Sequence, residues 1–259
     1  MTIDFHLENS RYTYSSRIVD ENWMRAISSL VKPKGKIVFD VGCGGGIYSR
    51  VWSELGAMQV TGIDFSGAML ETACEDSKGI ENVSFQVGDA LSTKVESESA
   101  DIVFERALIH HVSNLPACLR EAYRLLKPGG AYLIQDRTIE DVKVPSSQSH
   151  IRGFLFEFFP KLLKFEEERR RSIDVVSNDL NQAGFINTRV LPIWEIRKRY
   201  KNFAELAEDI EKRKGRSILY ELTDKEIQDL ILYIEKKLIK GSEIVERDRW
   251  TIWYGEKVN

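Results

Sequence analysis

The residues best equipped for chemistry lie in one short run, Phe39-Asp40-Val41-Gly42-Cys43-Gly44-Gly45-Gly46. Glycines between a strand and a helix let the backbone turn sharply and let a ligand approach without meeting a Cβ. The helix that follows adds free N–H groups and a partial positive charge. A dinucleotide fingerprint spaces its glycines as G-x-G-x-x-G. Counted from Gly42 the third glycine falls on Ile47, and counted from Gly44 it falls on Ser49. Both registers fail. Asp40 also sets a carboxylate where pyrophosphate would lie, and like charges there repel by roughly a few kcal/mol in a partly buried cleft. A ligand with a cationic amine and a sulfonium suits Asp40 better.

Two further carboxylates follow at the ends of strand-like runs. Asp64 closes QVTGID, where it can accept from both hydroxyls of a ribose. Asp89, in Gly88-Asp89-Ala90, can accept from the exocyclic amine of an adenine lying across a sheet edge. Each has a plainer reading, Asp40 as a turn cap and Asp89 as a loop carboxylate. His110 and His111 follow a fourth run, at the strand end where ligands bind in open α/β sheets. They are candidates for proton transfer. Adjacent loop residues seldom turn both rings to one ion, so no metal site is expected.

The elements that must position these residues alternate regularly. Lys36–Val41, Gln59–Asp64, Val83–Val87, Asp101–Glu105 and Ala131–Asp136 read as short strands bounded by turn residues. Between them lie helical patterns such as Ile47, Tyr48, Val51, Trp52 and Leu55, or Leu119, Ala122, Tyr123 and Leu126. Ser66 is placed to cap a helix carrying Met69 and Leu70, and Lys127-Pro128-Gly129-Gly130 is a turn. Five strands with helical crossovers predict a parallel sheet covered on both faces.

The second half departs from this rhythm. Phe154, Phe156, Phe158, Phe159 and Phe165 precede the charged run Glu166–Arg171, which reads as a solvated helix with internal ion pairs. A helix stopped by Gly184 leads to a strand at Ile186–Leu191. Thr223 and Glu226 form a capping-box pair ahead of Ile227, Leu230, Ile231 and Ile234, and WTIWY at Trp250–Tyr254 closes the chain as a strand.

Composition narrows the function classes. A net charge of -3 gives no global field to gather nucleic acid or anionic membrane. No apolar stretch is long enough to span a bilayer, and the opening run MTIDFHLENSRYTYSSR has no basic region followed by an apolar one, so no secretory signal is expected. Cys43, Cys74 and Cys118 are scattered, which fits a reducing, cytoplasmic setting and neither a metal cluster nor a disulfide framework.

The segments VFDVGCGGG, VTGIDFS, VGDA, DIVFERALIHHV and LREAYRLLKPGGAYLI, in this order over Lys34–Asp136, resemble class I S-adenosylmethionine-dependent methyltransferases. More narrowly they are similar to the ubiquinone/menaquinone-biosynthesis group. The resemblance implies an α/β fold: a Rossmann-like, seven-stranded, mostly parallel sheet with an antiparallel C-terminal hairpin, Ile186–Leu191 against Trp250–Tyr254, and helical lid insertions. It implies S-adenosyl-L-methionine as cofactor. Asp40, Gly42 and Gly44 would hold its methionine end, with backbone near Glu105, Arg106 and Ala107 against the amino-acid portion. Asp64 would bind the ribose, Phe65 and Met69 would flank the adenine, and Asp89 and Ala90 would read its edge. Residues 1–33, with Tyr12, Tyr14 and Arg17, would form a helical segment covering the cofactor. Residues 34–259 would be the methyltransferase domain, with insertions about 137–171 and 194–249.

The expected reaction is in-line displacement onto a small-molecule acceptor, with His110, His111 or Tyr14 as base if the acceptor must lose a proton. No Pro-Cys pair or Asn-Pro-Pro-Tyr run is present, which demotes nucleic-acid bases as acceptors. The oligomeric state is left open. Two competing readings are a catalytically silent S-adenosylmethionine-binding regulator and a nucleotide-sugar- or nicotinamide-dependent oxidoreductase. The glycine register and Asp40 count against the oxidoreductase.

Overall fold

The protein is described from a computed structural model, which covers residues 19–239, 241 and 243–259. Tyr12, Tyr14 and Arg17 lie outside the described residues. Five parallel strands form where the short apolar runs stand: β1 (Ile37–Val41), β2 (Gln59–Asp64), β3 (Val83–Val87), β4 (Ala100–Arg106) and β5 (Leu126–Asp136). Antiparallel β6 (Ile186–Tyr200) and β7 (Ile244–Glu256) complete a seven-stranded sheet of order β3-β2-β1-β4-β5-β7-β6. This is the Rossmann-like sheet that the sequence predicts.

The central strands are apolar on both faces because both faces are covered. On one side Trp23 and Ile27 of α1 (Glu21–Leu30) and Val51 and Trp52 of α2 (Ile47–Glu54) pack on Val38, Val60 and Phe104. On the other, α4 (Leu115–Leu125) and α8 (Ile173–Gln182) bring Leu119, Ala122, Val176 and Leu180 onto Phe39, Val103 and Tyr132. Each such side chain, fully buried, contributes about 1.5–3 kcal/mol of transfer free energy. α3 (Gly67–Asp76) flanks β2 and β3, and the Ser66 hydroxyl caps it by accepting from the Met69 N–H at 3.4 Å.

Three features differ from the sequence reading. First, β5 starts at Leu126, not Ala131. The Lys127–Gly130 turn is absorbed by a bulge, so that Ala100 pairs with Leu126 and Ile102 with Ala131. Second, β6 and β7 run far beyond Ile186–Leu191 and Trp250–Tyr254, pairing as far as Tyr200 with Ile244. Third, the two segments distant in sequence share one core. Phe154 and Leu155 of α6 (Arg152–Phe158) and Leu162 of α7 (Lys161–Arg169) meet Leu206 and Ile210 of α9 (Phe203–Glu211). Leu230 and Ile234 of α10 (Asp224–Lys237) join them, together with Leu219 of the 3-10 turn Ser217–Glu221. α5 (Ile139–Val142) leads from β5 into this unit, and the Thr223–Glu226 box caps α10 as its spacing implies.

Candidate active site

The strand order reverses between β1 and β4, so the loops leaving their carboxyl ends diverge and open a crevice. The glycine loop forms its floor. Gly42, Gly44 and Gly46 hold φ of 73°, 52° and 71°, a left-handed backbone that side chains rarely adopt. The N–H groups of Gly42 and Cys43 both donate to the Ile63 carbonyl, at 2.7 and 3.1 Å. A Cβ on Gly46 would stand 2.7 Å from the Phe85 ring and 3.0 Å from the Ala73 side chain. Loop and neighbouring strands are therefore packed to glycine dimensions.

Two carboxylates border this floor. Asp64 ties the loop to α3, accepting from the Gly44 N–H at 2.8 Å and from the Ser66 N–H at 2.9 Å. Asp40 is 2% exposed and accepts from the Ser49 hydroxyl at 2.6 Å. Burial pushes its pKa up to about 7, opposed by Ser49 and reinforced by Asp64. A nearby cation would reverse that penalty, because opposite charge favours the ionised form.

The crevice encloses about 800 Å³, within the usual range for small-ligand sites. Of the candidate site residues, Asp40, Gly42, Gly44, Asp64, Phe65, Met69, Arg106, His110 and His111 line it. Asp89 and Ala90 do not. Asp89 is exposed, and its carboxylate accepts at 2.8 Å from the Leu91 N–H, which folds it into its own turn. Of the phenylalanine group, Phe165 reaches the wall, while Phe154 is buried in the core shared by α6, α7, α9 and α10.

The wall beyond the glycine loop is built from charge pairs. Arg106 lies between the rings of Tyr48 and Trp250, at 4.4 and 4.3 Å from their centroids. Its guanidinium donates to Glu195 at 2.7 Å and to Gln135 at 3.2 Å. Gln135 also accepts from the Trp23 indole at 2.8 Å, so α1 is fastened to the same cluster. His110 Nδ1 meets the Asp136 carboxylate at 2.8 Å. A carboxylate only accepts, so Nδ1 of the neutral ring carries the proton and Nε2 keeps its lone pair. Burial pushes the His110 pKa down to about 3, and Arg170 adds to this against the pull of Asp136. Burial lowers His111 too.

The run Glu166–Arg171 forms the expected internal ion pairs, Arg169 and Arg170 with Glu166, and exposes Glu167 and Glu168, but it is not solvated throughout. Glu166 and Arg170 are buried, and Arg170 bridges Glu166 at 2.7 Å and Asp136 at 2.5 Å. Arg171 donates to the carbonyls of Ile109 and Val112. Arg170 turns inward because β5 offers it the buried carboxylate of Asp136. Asp136, at the end of a strand legible in the sequence, was the available signal, since strand ends carry ligand-site residues in such sheets. Arg137, Arg152 and Trp250 complete the wall without any local motif to mark them.

A methyltransferase-domain family matches residues 39–134, which hold the glycine loop and both acidic strand ends. Demethylmenaquinone methyltransferase of Staphylococcus aureus is 30% identical over 179 residues, covering 64% of this chain and 74% of that protein. The chain belongs to the S-adenosylmethionine-dependent methyltransferases. Phosphoethanolamine N-methyltransferase 3 of Arabidopsis thaliana is 37% identical over 107 residues, or 41% of this chain and 22% of that protein. The chain spans less than half the length of the plant phosphoethanolamine methyltransferases it matches. In fold it is similar to Haemonchus contortus phosphoethanolamine N-methyltransferase 2, solved with phosphomonomethylethanolamine and S-adenosylhomocysteine. That likeness has a TM-score of 0.64 at 20% identity, over 99% of this chain and 61% of that one. The family's cofactor is S-adenosylmethionine. The floor fits such a group: Asp40 and Asp64 supply carboxylates for its positive charge and hydroxyls, and the glycines' missing Cβ leaves room for it. Among the described residues no helix is long and apolar enough to cross a membrane.

Proposed function

We propose that the protein transfers a methyl group from S-adenosylmethionine to a small-molecule acceptor held between the sheet edge and the lid helices. The observation that carries this reading is the pair of buried carboxylates, Asp40 and Asp64, on a glycine floor inside an 800 Å³ crevice. Asp40 would hold the amine of the methionine end, with the Gly42 and Gly44 backbone and the strand end at Arg106 beside it. Asp64 would accept from the ribose, and Phe65 and Met69 would flank the adenine. Asp89 and Ala90 would meet the adenine edge only if the Asp89 turn opens.

The cofactor supplies a methyl carbon made electrophilic by a sulfonium, which an acceptor O, N, S or C takes in one in-line displacement. The chain's own contribution is alignment and exclusion of water, and orientation alone is worth on the order of 7–11 kcal/mol. Arg106, clamped by Tyr48, Trp250, Glu195 and Gln135, makes the wall rigid. His110, held neutral with its Nε2 lone pair available, would take the proton of an acceptor that must lose one. Residues 1–33 would cover the cofactor, a reading supported by α1, whose Trp23 packs at 4.9 Å on the cleft-lining Tyr48. The segments about 137–171 and 194–249 would form the lid over the acceptor, supported by their shared core. Three unpaired cysteines support a cytoplasmic setting.

The test is incubation with methyl-labelled cofactor and a panel of small amines, phenols, quinols and acids. Label in at least one small molecule is expected. Label only in added RNA or protein, or cofactor binding with no transfer to any acceptor, would overturn the proposal.

A further inference from the structure

The far end of the crevice holds two buried arginines on one carboxylate. Arg137 and Arg152 both line it, and both reach one carboxylate, Asp248, at 2.5 and 3.1 Å. Burial alone would raise the Asp248 pKa, yet Arg137, Arg152 and Arg197 hold it well below the usual carboxylate range. The carboxylate is thus already ionised, a single acceptor group that Arg137 and Arg152 both reach. Elsewhere on the wall charges are matched: Arg106 by Glu195, and Arg169 and Arg170 by Glu166 and Asp136. Glu168 also borders the crevice but is exposed, and Glu221 is half-buried.

Arg152 has donors to spare. It is 6% exposed, and its Nε donates to Asp248. Its Nη1 and Nη2 groups make no hydrogen bond among the described residues. Arginine does not shed its proton in proteins, and a buried charge short of partners is costly. A planar guanidinium with free N–H groups matches the paired oxygens of a carboxylate or phosphate.

We propose that the methyl acceptor carries an anionic group, a phosphate or a carboxylate, which docks on the Arg152 guanidinium at the lid end of the crevice. This rests on the methyltransferase reading and deepens it by naming the acceptor's class. The crevice then sorts its two ligands by charge, a cationic one on the Asp40–Asp64 floor and an anionic one beneath the lid.

The test is calorimetry on the protein saturated with S-adenosylhomocysteine, titrated separately with inorganic phosphate and with acetate. Wild type, Arg152→Met and Arg152→Lys are compared. Wild type is expected to bind at least one anion, at least tenfold more tightly than Arg152→Met, with part of the loss recovered in Arg152→Lys. Affinity for S-adenosylhomocysteine should stay within about twofold throughout. Phosphate binding alone assigns a phosphorylated acceptor, and acetate binding alone assigns a carboxylate. Equal anion affinity in wild type and Arg152→Met, or no anion binding to wild type, overturns the proposal. If Arg152→Met fails to fold, Arg152→Lys decides, since equal affinity there overturns it as well. Failure of S-adenosylhomocysteine to bind wild type would instead sink the methyltransferase reading.

Discussion

Asp40 sets the residue scale. Burial pushes its pKa up to about 7 by penalising its charge. Relative to the unfolded chain that pKa is raised, so the folded state loses stability as pH rises through about 7 and keeps it below about 4. A cationic ligand needs the ionised form. Affinity for S-adenosylhomocysteine should therefore tighten between pH 6 and 7.5, by up to tenfold per unit, with proton release on binding. Asp40→Asn should flatten this dependence, and calorimetry in buffers of different ionisation heat reads the released proton. His110 behaves in the opposite way. Its pKa near 3 leaves it neutral throughout this range, so kcat should show no break near 6.5 while kcat/KM for the cofactor rises towards 7. Asp40, Asp64 and the histidines were legible as site residues because each ends or follows a strand. Their electrostatic states were not, since these depend on Arg170, Asp136 and Ser49, brought in from elsewhere in the chain.

Elements whose local rules agree with their surroundings were readable, and those that break the rules were not. β1 to β4 are short apolar runs between turn residues, and α3 and α10 start at caps visible in the sequence. β6 and β7 continue through WEIRKRY and IVERDR, where charged residues in a strand read as loop. They hold because Glu246 and Asp248 are paired internally with arginines, at separations of 30 to 111 residues. Likewise Asp20 caps α1 and also accepts from the Ile196 N–H at 2.6 Å, a tie that no local pattern encodes. The glycine loop is the element most sensitive to a single atom. Gly46→Ala should cost at least about 1–2 kcal/mol from left-handed backbone alone, with more from the Phe85 contact at 2.7 Å. A lowered Tm together with weakened S-adenosylhomocysteine binding is the expected readout.

At the scale of the whole molecule, the cationic ligand proposed for the sheet floor and the anion proposed for Arg152 would sit on separately packed parts. The lid has its own core, around Leu155, Leu206 and Leu230, apart from the two that sandwich the sheet. A unit of that kind opens independently when its core is weakened. Leu230→Ala, at a fully buried position, should cost about 2–5 kcal/mol within the lid. Hydrogen exchange should then speed up in α6, α9 and α10 while the central strands stay protected, and S-adenosylhomocysteine affinity should change by less than about threefold. Uniform loss of protection would mean that sheet and lid form one cooperative unit.

The claim beneath all three scales is that the floor at the strand ends of β1 and β2 binds a cationic nucleoside. Titrating S-adenosylhomocysteine into wild type and Asp64→Ala is its most direct measurement. Micromolar-range binding to wild type is expected, weakened by about 1.5–3 kcal/mol in the variant, the worth of hydrogen bonds to a charged group. Equal affinity in the two proteins, or no heat with wild type, would contradict it.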